Sequence, residues 1–378
     1  MIQTLIIVIG LIISGSANSL LTKYQDMQCV SHCSNPEKAK YFDQPVLQTM
    51  QMFAGELLCW IPVLYLKYVR RSPRSVLVNT SSGEEERLLH VEEQANSQAV
   101  AGKSNWKHSL ILAIPSTCDL LGTTLMNIGL LYTPVSIYQM TRGSVILIVG
   151  LMSVIFLKKR ITKLEWMSLF VVFLGVFLVG FSGYVQDQKE RALENVNEER
   201  NWDIVVGMLL VFLGIIMSAV QFVTEEHILS YLKVEPIEVV GYEGFYGLSV
   251  TLIGMIVGNI VYGRGYFDLQ QAFKEMFTNE VVLYTSISIM FSISLFNFFG
   301  ITLTSLLNAT SRSTIDTCRT LLVWILSIII GWESFHALQM GGFAFLVGGT
   351  LAFNGVIEPE NWAFVPTWLK ELEGDMRT

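Results

Sequence analysis

Apolar runs of about 20 residues, each long enough to cross about 30 Å of hydrocarbon, recur along nearly the whole chain, and no other feature constrains the fold as tightly. They lie near residues 2–22, 45–67, 108–131, 134–157, 164–183, 204–224, 237–262, 281–303, 305–330 and 335–356, which predicts ten spans. Composition points the same way: 52% of the residues are hydrophobic, 15% are charged and the mean hydropathy is +0.49, as expected of an integral membrane protein rather than one with a soluble core. The net charge of −7 comes largely from loops such as EEERLLHVEE and DQKERALENVNEER, so it says little about partners, and nothing in it suggests nucleic acid. The first run has neither a basic flank nor a small-residue cleavage site and reads as a retained helix. Tight links join the third span to the fourth and the eighth to the ninth, so each pair is expected to form an antiparallel hairpin.

Basic residues set the orientation. With a cytosolic N-terminus, 14 Lys and Arg fall in cytosolic segments against eight on the other side, concentrated in KYVRRSPR and LKKRITK beside span ends. Both termini are therefore expected in the cytosol. The sequon Asn79-Thr80-Ser81 then lies on the unglycosylated side, and a glycan there would invert the topology.

An internal repeat refines the fold. SIYQMTR (136–142) laid over STIDTCR (313–319) matches Ser136 to Ser313, Gln139 to Asp316 and Arg142 to Arg319. MFAGE (52–56) lies over GFYGL (244–248), LGVFLVG around Gly175 over VGGTLAFNG around Gly349, and Asn18 and Lys23 over Gln221 and Glu226, all in the same order. Because each half would hold five spans, an odd number, the halves must sit upside down relative to one another. The expected fold is all-α: ten transmembrane helices as two inverted five-helix repeats. Residues 1–184 form the first repeat, with a polar cytosolic loop at 71–106. A non-cytosolic linker at 185–203, a second repeat at 204–357 and a cytosolic tail at 358–378 complete it.

Charges inside the spans are the candidate site, since a charge at the bilayer centre costs roughly 2.5–3.5 kcal/mol even on insertion scales. Glu56, Asp119, Asp316 and Arg319 fall near the midplane, and Arg142 about three residues from it, roughly 4–5 Å. Asp316 and Arg319 share a helix face and can pair locally. Arg142 has Tyr, Gln, Val and Ile at 138, 139, 145 and 146, so its counter-charge must come from another helix, with Asp119 and Glu56 as candidates, or from an anionic substrate. Gln139 and Asn18 are candidate polar contacts or interhelical glue. Glu56 or Asp119 could also carry a proton. Gly122, Gly143, Gly175, Gly180, Gly348 and Gly349 read as close-packing positions, Cys59, Cys118 and Cys318 as packing residues, and Glu225, Glu226 and Glu243 as solvated groups near helix ends, Glu243 being the deepest.

CDLLGTTLMNIGLLYT, SIYQMTRGSVILIVGLMSVIFLKKR, VTEEHIL and RSTIDTCRTLLVWILSIIIGWESFHALQMGGF, set among these ten spans, resemble the solute carrier 35 family, its F subfamily above all, within the drug/metabolite transporter superfamily. The resemblance implies the ten-helix inverted repeat of nucleotide-sugar and triose-phosphate translocators, with a central cavity opened alternately to each side. It implies no particular substrate. The lysine–arginine pair that triose-phosphate carriers use has no counterpart beside Arg319, which argues against a phosphorylated substrate.

In the cytosolic loop, Glu84, Leu88 and Leu89 form a dileucine-like sorting signal of the kind adaptor proteins read, which points to lysosomal, vacuolar or endosomal membranes, with the Golgi as the alternative. Cys29 and Cys33 flank His32 on the non-cytosolic side, as a loop disulfide or two free thiols, too few ligands for a zinc site. Metalloprotease, nucleophile-elbow and phosphate-loop motifs are absent, so neither an enzyme nor an ATP-driven pump is expected. The sequence thus predicts a cofactor-free secondary-active carrier of a small organic solute. The alternatives are a Golgi or endoplasmic-reticulum nucleotide-sugar antiporter and a non-transporting membrane scaffold. Expected partners are the solute, the bilayer and sorting adaptors, with self-association left open.

Overall fold

In a computed structural model of the protein, residues 2–31, 33, 40–42, 44–71, 110–133, 138, 141–194, 201–232, 234–262, 269–332 and 337–357 are described. The sorting signal at Glu84, Leu88 and Leu89, the sequon at Asn79, Gln139, His32 and the tail lie outside them.

Backbone in lipid must satisfy its own hydrogen bonds, and the apolar runs do so as helices. These are α1 (Ile2–Asp26), α2 (Pro45–Leu57), α3 (Trp60–Arg71), α4 (Ala113–Tyr132), α5 (Val145–Phe156), α6 (Lys163–Glu194), α7 (Asn201–Leu232) and α8 (Pro236–Tyr262), followed by α9 (Leu269–Thr278), α10 (Glu280–Leu306), α11 (Ala309–Ile330) and α12 (Ala337–Phe353). Six of them, α1, α6, α7, α8, α10 and α11, are long and apolar enough to cross a membrane, and α5 and α12 are shorter apolar helices. Local chemistry fixes several ends. Thr162 and Glu165 form a reciprocal cap at the start of α6, with Thr162 N donating to Glu165 Oε2 at 2.6 Å and Glu165 N to Thr162 Oγ1 at 3.2 Å. Asn308 accepts from Ser311 N at 2.7 Å to start α11, and Gly331, at φ 85°, ends it.

Three expectations change. The run at 45–67 is not one rod: α2 stops at Leu57, and Leu58 N and Cys59 N bond back to Gly55 and Glu56 carbonyls at 3.0 Å, three residues away rather than four. Pro62, in the first turn of α3, has no N–H to give and is tolerated there. The linker expected at 185–203 is entered by helix from both sides, since α6 runs to Glu194 and α7 starts at Asn201; DQKERALE is rich in helix formers. Finally, the link between α8 and α10 contains a short amphipathic helix, α9, and β1 (Cys29–Ser31) pairs antiparallel with β2 (Lys40–Tyr41).

That strand pair and α9 build a cap. Cys29 and Cys33 are disulfide-bonded, which settles the pairing the sequence left open. Phe42, Leu47, Met50, Met255, Ala272, Met276 and Val282 pack beneath. Asn279 Nδ2 donates to the Cys29 carbonyl at 3.1 Å, and Glu275 accepts from Lys40 at 2.9 Å and Gln44 at 3.0 Å. Burial works against the Glu275 charge, but hydrogen bonds from Gln271, Lys40 and Gln44, with the Lys40 charge, prevail and hold the carboxyl below the ordinary glutamate range. A carboxyl lowered on folding stabilises above its unfolded pKa and loses that contribution as pH falls through the folded value. Glu275→Gln is therefore expected to destabilise the protein at pH 7 by a small amount, on the order of 0.2–1 kcal/mol for an ion pair at the surface, with the difference from wild type fading as pH falls below the ordinary glutamate range. A melting series in detergent across pH checks this.

Helix packing follows a pattern. α1 packs on α10 and α11, while α7 packs on α4 and α5; α10 lies on α2 as α4 lies on α8; α11 meets α12 as α5 meets α6. The contacts of α2 with α8, α5 with α11 and α6 with α12 exchange into themselves under the same substitution of helices, whereas the contact of α8 with α10 has no comparable counterpart between α2 and α4. Glycines allow the tightest approaches: a Cβ on Gly175 of α6 would lie 2.5 Å from Leu346 N of α12. Gly122, Gly143 and Gly349 are similarly close-packed, as expected, whereas Gly348 meets nothing within 4 Å.

Candidate substrate site and buried charge network

The intramembrane charges separate into two groups. In the first, one helical turn at Thr141–Arg142 precedes a bend at Gly143–Ser144, held by Ser144 Oγ donating to the Thr141 carbonyl at 2.7 Å, after which α5 begins. Arg142 is exposed by surface area, yet its interactions are internal: a hydrogen bond with buried Tyr138 and an electrostatic attraction to Asp316 of α11. Arg319, one turn along from Asp316, pairs with it at 3.3 Å as the i, i+3 spacing predicted, lies 4.9 Å over the Phe296 ring, and is close enough to Arg142 for the two to repel. Its methylenes fill the space beside Gly15 of α1. The counter-charge sought for Arg142 on Asp119 or Glu56 is thus Asp316, on the very segment that the repeat laid over Arg142. Among the described residues two guanidiniums share one carboxylate, which leaves one positive charge over. Of the other candidates, Asn18 accepts from Ser292 Oγ of α10 at 3.1 Å, as interhelical glue would.

Glu56 and Asp119 belong to the second group. Glu56 of α2 accepts a hydrogen bond from Asn297 Nδ2 of α10 through Oε1, while its buried Oε2 has no hydrogen-bond partner. Around it stand Asp119 of α4, Glu225 of α7 and Arg312 of α11, all within electrostatic range, and Glu243 of α8 feels its charge in turn. Arg312 pairs with Glu225; their side chains are 4% and 0% exposed. Gln221 donates to Glu225 Oε1 at 2.9 Å, and Arg312 lies 4.4 Å over the Phe222 ring. The Glu243 carbonyl accepts from Ser116 Oγ at 2.8 Å, but its carboxyl Oε1 is buried without a hydrogen bond. Four carboxyls thus surround one guanidinium.

This corrects the expectation that Glu225, Glu226 and Glu243 are solvated: all three are buried. Distance from a span end does not report depth in a bundle where another helix covers that end. Glu226 ties three elements, bonding Lys159 after α5 and accepting from Ala309 N at the start of α11 at 2.9 Å, where a carboxylate favours the helix terminus. At the far end of α1, Lys23 stands 5.0 Å from the Trp332 ring, just beyond α11. Arg312 and Asn297 were not singled out from sequence, and Tyr138 entered only as a neighbour of Arg142. For Arg312 the signal was present, since it lies seven residues inside the run at 305–330.

Long apolar helices with charges turned inward are the build of a multi-pass membrane transporter, and comparison with known proteins agrees. The nucleotide-sugar transporter family model matches residues 76–311. Human solute carrier family 35 member F6 is 31% identical over 360 residues, covering 92% of this chain and 88% of its own, and the chain belongs to the solute carrier 35 family. Rat UDP-N-acetylglucosamine transporter is 28% identical over 166 residues, 42% of this chain and 48% of its own. A crystal structure at 13% identity superposes with a TM-score of 0.58 over 94% of this chain and 98% of its own, a likeness of fold.

Proposed function

We propose that the protein is a secondary-active carrier of a small organic anion, working by alternating access between two inverted five-helix halves. The single observation that carries the reading is the Arg142–Asp316–Arg319 group, where two cations share one anion and Arg142 is exposed by surface area. An intramembrane cation facing inward marks a substrate path, and here the surplus charge selects an anion. Arg142 clamps the anionic group with Gln139 beside it, Asp316 and Arg319 are the mirror set, and Asn18 lines the approach. Glu56 and Asp119 serve the coupling side of the site. The exchange-symmetric helix pairings support the inverted halves. The dileucine-like segment at Glu84, Leu88 and Leu89 favours a lysosomal or vacuolar membrane, with adaptor proteins as partners, and the disulfide at Cys29–Cys33 suits the oxidising side of such a membrane.

A second reading, nucleotide-sugar antiport in the Golgi, is favoured by the likeness of half the chain to the UDP-N-acetylglucosamine transporter. One experiment tests both. Small-molecule contents of isolated lysosomal or vacuolar and Golgi fractions are compared between cells lacking the protein and cells restored with wild type or Arg142→Gln. One class of organic anion is expected to change by about tenfold or more and to be restored only by wild type, the scale of a lost charge-assisted contact of about 1.5–3 kcal/mol. Equal restoration by Arg142→Gln would remove the clamp. No change in any solute, with both proteins correctly placed, would leave a membrane scaffold.

A further inference from the structure

We propose that Glu56 and Glu243 are a pair of proton-binding carboxyls set across the α2–α8 contact, through which the carrier couples its solute to a proton gradient. The proposal rests on the carrier reading and assigns the coupling ion and its seat.

Backbone geometry makes the pair. Gly244 follows Glu243 on α8 and lacks a side chain where α2 passes: a Cβ there would lie 2.4 Å from Leu57 N and 2.8 Å from the Glu56 carbonyl carbon and Cβ. The two helices therefore touch at the residues that carry the carboxyls, and the carboxyls are near enough to repel when charged. Each is buried, 2% exposed for Glu56 and 5% for Glu243, and each ends in one carboxyl oxygen with no hydrogen-bond partner: Oε2 of Glu56 and Oε1 of Glu243. A buried carboxylate oxygen without a donor is costly, and a proton on that oxygen removes both the charge and the shortage.

The groups facing the pair leave it no permanent cation. From α4 comes Asp119, from α7 Glu225, from α10 the neutral amide of Asn297, and from α11 Arg312. Cys59 in the bend after α2 is occupied with Ser294, 3.1 Å away. Among the described residues Arg312 is the one positive group acting on the pair, and it is committed to Glu225. Asp119 is only partly buried, which suits a relay rather than a store. The ligand that fits a buried carboxyl oxygen lacking any donor is the proton. The step balances simply: each carboxylate oxygen takes one proton from water on one side of the membrane and returns it to water on the other, with no bond to carbon broken and no electron moved.

The experiment is an infrared pH titration of the purified full-length protein in liposomes, paired with a coupling assay in isolated compartments. Wild type is expected to keep a neutral carboxylic-acid carbonyl band at pH values well above those where ordinary glutamates, near 4.3, have ionised. Glu56→Gln and Glu243→Gln, which keep shape and the Asn297 contact, should each remove part of that band. Its absence from wild type, or its full survival in both variants, overturns the proton sites. In the compartments, the solute difference that wild type maintains should collapse when the proton gradient is dissipated with an ionophore, and the variants should no longer respond to that collapse. A wild-type difference that survives dissipation overturns coupling while leaving transport intact. No solute difference at all overturns the carrier reading, and coupling with it, whatever the infrared titration shows. If Glu56→Gln does not fold, Glu243→Gln carries both arms by itself, since its carboxyl accepts no hydrogen bond at the orphaned oxygen.

Discussion

Glu225→Gln is expected to destabilise the protein by about 3–5 kcal/mol and to keep most of it from its target membrane, because it strands a buried guanidinium. Arg312 has little else to satisfy it: a 3.5 Å contact to Thr304 Oγ1 and the face of Phe222. Its side chain is 4% exposed, so water cannot take over. Gly300 on α10 is the surface it packs against, where a Cβ would sit 2.9 Å from Nε, so the guanidinium has no room to withdraw. The double variant Glu225→Gln, Arg312→Gln should recover most of the loss, because removing both charges removes the uncompensated one. Melting temperature in detergent and the fraction of protein leaving the endoplasmic reticulum read both effects. A single variant as stable as wild type would mean that Asp119 or Glu56 takes over as Arg312's partner.

Gly244→Ala is expected to cost about 1–3 kcal/mol, the range of overpacking, and to reduce solute movement beyond what the lower protein level explains. The added methyl meets backbone on α2 at 2.4 Å, which no rotamer change can relieve. α2 and α8 must part, and Glu56 and Glu243 part with them. Gly254→Ala on the same helix is the control: nothing lies within 4 Å of that site, so the substitution should be neutral or stabilising by roughly 0.5–1 kcal/mol from helix propensity alone. Equal melting temperatures for the two variants would show that the α2–α8 contact is looser than its geometry indicates.

Most helices could be read from the chain because apolarity over 20 residues is a local property. The Asp316–Arg319 pair was legible for the same reason, since three residues of helix bring the two side chains together whatever surrounds them. The Arg312–Glu225 pair was not, because its members are 87 residues apart and meet only through the packing of α7 against α11. Position relative to span ends misplaced Glu225, Glu226 and Glu243 for a related reason: burial depends on which neighbour covers a helix end, and Ala309 N with Lys159 covers Glu226 here. The counter-charge of Arg142 was sought among residues of similar depth, although the repeat had already laid Arg142 over Arg319 and so beside Asp316. The break in the second span did leave a mark, in Pro62, which was read through as part of one continuous run.

That break falls two residues beyond Glu56. Where α2 gives way to α3, Leu58 and Cys59 are held by three-residue hydrogen bonds instead of the α-helical ladder, a short stretch in which the chain can bend without losing a bond. The second span is in effect two rods with a pivot. α2 is clamped to α8 and α10 while α3 touches α8 more lightly, so a tilt of α3 about Leu58 would leave Glu56 where it is. A transporter must change which side its interior faces without losing hold of what it has bound, and a jointed span lets the wall swing while the anchor point stays still.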